Sequence, residues 1–119
     1  PILCIGENEE EYQNNKIKEV LLKDLKASFS AVSYLDQQKI IIAYEPIWAI
    51  DSDTIPTNKE IEETTEFIKG IFPNNIVLYG GGVTSDNIYE LSQIKTVDGF
   101  LLGRLGNNIN ELEEFLKNI

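Results

Sequence analysis

The sequence predicts an α/β fold, with four strand and helix units alternating along a single domain, residues 1–119. Three observations carry this prediction. Four short runs are apolar almost throughout, at residues 2–5, 40–44, 76–79 and 99–102. Between and after them, apolar residues recur at spacings of three and four, the period of a helix face. Glycine or asparagine turns punctuate the boundaries. Alternating strands and helices imply parallel pairing and right-handed crossovers. Strands apolar throughout imply a sheet covered on both faces. Two architectures fit: a small doubly wound sheet, or half of a (β/α)8 barrel, which in full form needs about 200–250 residues or more.

Each element follows from its residues. Ile2, Leu3, Cys4 and Ile5 make a buried strand stopped by Gly6. From about residue 9 to residue 32 the pattern is helical, with Ile17, Val20, Leu21, Leu25 and Phe29 on one face. The second strand, 40–44, is rich in β-branched residues. Residues 51–57 form a polar loop, and Thr57 or Asn58 caps the next helix with Glu60 in support. That helix buries Ile61, Thr64, Thr65 and Ile68. Pro73, Asn74 and Asn75 turn the chain into the third strand, which ends at Gly80, Gly81 and Gly82. A helix starts at Ser85, Asp86 and Asn87, with Ile88 and Leu91 inward. The fourth strand is followed by a loop over 103–108. A final amphipathic helix is marked by Ile109, Leu112, Phe115 and Leu116.

Composition narrows the function. The net charge of −10 argues against nucleic acid and against an anionic membrane surface, since both need clustered Lys and Arg. No apolar run approaches the ~20 residues of a membrane span. The single cysteine, Cys4, permits no internal disulfide and fits a cytoplasmic setting. With no histidine, a histidine triad or a histidine metal site is ruled out within the chain, and no metal site is expected. The chain has no methionine and opens on the strand-like run at Pro1, as expected of a piece of a longer polypeptide.

In either architecture, function gathers at the C-terminal ends of the strands. Glu45 stands directly after a buried strand, where burial is expected to raise its pKa toward neutrality. Pro46 biases its backbone toward an extended conformation, which fixes the side chain's direction as a general base requires. Ile47, Trp48 and the polar loop then have the character of a hinged lid that excludes water. The alternative is a strand-end acid paired with a helix end or a lysine. Gly80, Gly81 and Gly82, with Gly103 on the neighbouring turn, offer free backbone N–H groups for a phosphate. The alternative for the glycines is two tight strand-to-helix turns.

These residues match a family. The run from Ala43 through Tyr44, Glu45, Pro46, Ile47, Trp48 and Ala49 to Ile50 resembles the signature of the triosephosphate isomerases. Residues 1–7, 78–83 and 98–103 resemble the family's fifth, seventh and eighth strands, in the right order and covering almost the whole chain. The resemblance implies the C-terminal half of a TIM (β/α)8 barrel, and a cofactor-free aldose–ketose isomerase acting on a triose phosphate. It implies Glu45 as catalytic base and Pro46, Ile47, Trp48 and Ala49 as lid hinge. Tyr79 would bond the closed lid, and Gly81, Gly82, Gly103, Arg104 and Asp51 would surround the substrate phosphate. Cys4 and Gly6 are expected to be structural, and Glu7 and Lys16 to be scaffold or helix residues.

The family's catalytic lysine and histidine belong to strands outside this chain, which by itself is therefore expected to be inactive or nearly so. The full-length protein is expected to be a homodimer. A half-barrel binding module and a diverged, non-catalytic paralogue are the alternatives. Departures from the family pattern surround the expected phosphate. Asp51, Ser52 and Asp53 replace a Gly-Thr-Gly lid tip, Gly82 replaces a serine, and Arg104 replaces a glycine. Two carboxylates near a phosphate repel it by about 1 kcal/mol each at 4 Å in water, and Arg104 is expected to offset part of that.

Overall fold

Four parallel strands form one sheet in the computed structural model, which describes residues 1–117. They are β1 (Ile2–Ile5), β2 (Ile41–Tyr44), β3 (Val77–Gly80) and β4 (Gly99–Leu101). Their spatial order is β1-β2-β3-β4, the order of the sequence. This decides between the two architectures. A doubly wound sheet reverses direction at a switch point, whereas a (β/α)8 barrel wall adds each strand beside the last. The helices are α1 (Glu9–Gln13), α2 (Ile17–Phe29), α3 (Tyr34–Gln37), α4 (Asn58–Ile71), α5 (Ile88–Leu91) and α6 (Ile109–Lys117).

The core lies between the helices and one face of the sheet. Leu21, Leu25 and Phe29 of α2, Ile61 and Ile68 of α4, and Leu91 of α5 pack with Ile5, Ile42, Tyr44, Val77 and Tyr79. Alternation along the strands sends the intervening residues to the other face. There Cys4, Ala43, Leu78 and Gly99 lie in register, with Ile2 beside Ile41. No helix among the described residues covers that face: Ile2 is 49% exposed and Cys4 is also exposed. The expectation of a sheet covered on both faces is corrected on this point, because all the crossovers run on one side.

The α4 cap is the capping box expected from the sequence. Thr57 accepts from the Glu60 N–H, and the Glu60 carboxylate accepts from the Thr57 N–H. Other boundaries differ. The helical stretch over 9–32 is broken at Asn14 and Asn15, where Asn15 takes a left-handed φ of +56° that asparagine tolerates. The short α3, capped by Ser33, is too brief to show a periodicity. The helix expected at Ser85 begins only at Ile88. On α6, Phe115 is buried, but Ile109 is 79% exposed and Leu116 is 59% exposed. That helix packs at the sheet's edge beside β4, so its buried stripe is narrow. No helix among the described residues is long and apolar enough to cross a membrane.

Replacing Leu21, which is fully buried, with alanine is expected to cost about 2–5 kcal/mol, whereas Ile109→Ala is expected to stay within about 0.5 kcal/mol. Urea unfolding of the two variants checks this, and equal losses would show that α6 buries the face the sequence pattern marks.

Candidate active site

Glu45 is positioned by the close approach of two strand ends. Its N–H donates to the Ile5 carbonyl at 2.8 Å, continuing the β1–β2 ladder. A Cβ on Gly6 would overlap the Glu45 carbonyl oxygen, so only glycine fits beneath it. On the neighbouring strand, a Cβ on Gly80 would stand 2.9 Å from Glu45 Oε2. Glycines therefore flank both the backbone and the carboxylate of Glu45. The side chain is half-buried rather than enclosed, and it lies on the sheet face that no helix covers.

Glu45 lines a cavity of about 440 Å³ at the C-terminal end of the sheet. Asp51, Gly81, Gly82, Gly103 and Arg104 line the same cavity, so the expected base and all the expected phosphate residues come together. Gly81 and Gly82 take φ of +104° and +61°. A Cβ on Gly81 would come 3.3 Å from the Ala49 Cβ, and one on Gly82 would collide with the Ile55 side chain. Residues 49–55 thus lie directly over the glycine turn. The Ile55 side chain fills the space that a side chain at residue 82 would need. Asn87, unassigned in the sequence reading, shapes the turn as well. Its side chain donates to the Gly82 carbonyl at 2.8 Å and accepts from the Thr84 N–H at 2.9 Å. Its position among helix-start residues suggested only a cap.

Two departures from the family pattern pair with each other. Arg104 Nε lies 3.1 Å from Asp51 Oδ1, bridging the loop after β4 to the loop after β2. Both side chains are mostly exposed, so the pair itself is worth at most about 1 kcal/mol. Asp51 holds a left-handed φ of +54°, a conformation that a glycine at a lid tip adopts freely and that aspartate tolerates. Glu45, Asp51, Asp53 and Glu111 also line the cavity, and Arg104 is the one basic residue among the described lining.

Residues 46–49, the expected hinge, stand behind the cavity. Pro46 leads into a single 3-10 turn, Ile47–Ala49, whose Ile47 N–H donates to the Glu7 carbonyl at 2.9 Å. Ala49 is buried and Ile47 is exposed. Trp48 turns away from the cavity and donates from Nε1 to Glu7 Oε1 at 2.8 Å. The Tyr44 hydroxyl donates to the same oxygen at 3.2 Å. Glu7 is completely buried, and its Oε2 has no protein partner among the described residues. Burial pushes its carboxyl up, against the opposing hydrogen bonds from Trp48 and Tyr44. Tyr79 is also buried, and its hydroxyl has no partner among the described residues. Burial, with the nearby Glu7 carboxylate, pushes the phenols of Tyr44 and Tyr79 well above the ordinary range. The importance of Glu7 was hidden in the sequence by the acidic run that follows it, which reads as a solvated helix start. Lys16 is exposed and has no part in the site. Cys4 is exposed, yet partial burial and the Glu45 charge push its thiol up, which disfavours a nucleophilic thiolate. No cluster of metal-ligating side chains occurs among the described residues.

The buried carboxyl has a pH signature. A folded pKa raised above the unfolded one means that the native state binds the extra proton, so stability falls as pH rises through that window. Glu7→Gln keeps an acceptor for Trp48 and Tyr44 and removes the titration. Relative to the unsubstituted chain, the variant is expected to gain stability as pH rises from below the ordinary carboxylate range to neutrality. Urea unfolding at pH 4 and pH 7 measures this, and a stability difference independent of pH excludes Glu7 as the titrating group.

Comparison with known proteins agrees with the geometry. The family model for triosephosphate isomerase matches residues 1–119. The triosephosphate isomerase of Mycoplasma mobile is 39% identical over 118 residues, which cover 98% of this chain and 48% of that protein. The triosephosphate isomerase of Borreliella burgdorferi is 40% identical over 111 residues, 86% of this chain and 44% of that protein. That of Wolbachia pipientis is 34% identical over 119 residues, 100% of this chain and 47% of that protein. The chain spans about half the length of the curated relatives it matches. It belongs to the triosephosphate isomerase family.

Proposed function

We propose that the complete barrel to which this chain contributes interconverts dihydroxyacetone phosphate and glyceraldehyde 3-phosphate, with Glu45 as the base. The observation that carries this is the shared cavity: one carboxylate at a strand end faces the same space as two glycine turns. Glu45 takes a proton from the carbon beside the substrate carbonyl and leaves an enediolate. It then returns the proton to the adjacent carbon while the hydroxyl proton passes from one substrate oxygen to the other, so the carbonyl moves by one carbon, no atom is gained or lost and no cofactor is needed. The N–H groups around Gly81, Gly82 and Gly103, with the Arg104 guanidinium, hold the phosphate. Residues 50–57 close over it on the Pro46–Ala49 hinge. The buried, unpartnered Tyr79 hydroxyl is a donor available to the closed lid.

The chain supplies the base but no histidine, so an imidazole electrophile for the developing enediolate has to come from the other half of the barrel. The bare sheet face and the unpaired edges of β1 and β4 are where four further strands complete the wall. The whole protein is proposed to be a cytoplasmic homodimer serving glycolysis. A non-catalytic paralogue is the second reading, favoured by the carboxylates of Asp51 and Asp53 beside the phosphate turn.

In the full-length protein, Glu45→Gln is expected to lower kcat about 10²–10⁴-fold with a smaller change in KM. The chain on its own is expected to show turnover near background. A coupled assay of triose phosphate isomerisation reads both, and near-wild-type kcat in Glu45→Gln would remove Glu45 from the mechanism.

A further inference from the structure

Helix α1 buries no residue, yet its Tyr12 side chain contacts Trp48, which precedes the lid, and Glu60, which follows it. The Tyr12 ring lies on the Trp48 indole, with centroids 4.4 Å apart and planes inclined at 33°. Its hydroxyl donates to Glu60 Oε1 at 2.8 Å, across 48 residues of sequence. The other oxygen of Glu60 accepts from the Thr57 N–H and the Thr57 hydroxyl, each at 2.7 Å. Trp48 stands just before the lid, and Thr57 is its last residue and the N-cap of α4. Beyond Trp48, the indole N–H is held by the buried Glu7. The side chains of Glu7, Trp48, Tyr12, Glu60 and Thr57 therefore form one continuous series of contacts under residues 50–57.

We infer that Tyr12 is a positioning residue, tying the leading hinge of the lid to the cap of α4 so that the two ends of the lid move together. This rests on the reading of residues 50–57 as the lid of a phosphate cavity. The physical reason is geometric. A loop anchored independently at each end samples many separations between its ends, whereas a stacked ring carrying a charge-assisted hydrogen bond at its far edge fixes one. The phenol suits this task because its ring supplies the stack and its hydroxyl supplies the reach. Phenylalanine would serve equally well if Tyr12 merely covered Trp48.

That difference supplies the test, made in the full-length protein. Tyr12→Phe keeps the stack and removes the bond to Glu60. It is expected to accelerate amide hydrogen exchange about fivefold, the size of one partly buried hydrogen bond, at both residues 49–50 and residues 57–60. In a Glu60→Ala background the same substitution is expected to add nothing. Binding of 2-phosphoglycolate to Tyr12→Phe is expected to weaken by a similar factor, with Glu45 untouched. Exchange that stays unchanged, that rises at one end alone, or that rises further in the Glu60→Ala background overturns the bridge. Failure of the unsubstituted protein to bind 2-phosphoglycolate counts against the isomerase reading instead, because the exchange measurement needs no ligand.

Discussion

The close approach of Gly6 to the backbone of Glu45 is the constraint on which the site depends. The two strand ends pass so near one another that the Glu45 carbonyl occupies the volume any side chain at residue 6 would need. Both backbones are thereby fixed just where β2 gives way to the Pro46 turn. A carboxylate on a free loop would sweep a wide volume. Here, with Gly80 leaving room on the other flank, it is confined to one side of the sheet and to the cavity there.

A second carboxylate works from behind. Glu7 follows Gly6 directly, points to the helix side, and is buried against Tyr44 and Trp48. Consecutive residues on an extended backbone face opposite ways, so one strand end supports Glu45 in front and anchors Trp48 behind. The front of the cavity is held more loosely. The Asp51–Arg104 pair spans it in full contact with solvent, where salt screens the attraction. It sets one positive charge against one negative charge at the rim of the cavity.

Much of the fold was legible in the sequence because its signals are periodic. The strands at Ile2–Ile5 and Val77–Gly80 follow from short runs apolar almost throughout, the inward stripe of α4 from helical spacing, and the Thr57 capping box from four residues alone. What periodicity cannot reveal is neighbourhood. Ile109 and Leu116 obey the helical pattern, yet remain exposed because too little of the protein lies beside α6 to cover them. In the site, Glu45 and the glycines were readable because they sit at strand ends and match a signature. Glu7, Tyr12 and Asn87 were not, because their partners lie far away in the chain or in a turn whose path no local pattern fixes.

The strand order has a kinetic consequence. Each strand hydrogen-bonds only to the strands before and after it in the sequence, so no contact in the sheet requires the chain to close a loop longer than one crossover. Within this sheet closure entropy then enters in three small steps, and the contact order stays low for a parallel sheet. Such a wall can grow from any adjacent pair of units, much as a repeat array propagates from neighbour to neighbour, with its growing edge available to the next strand at every stage.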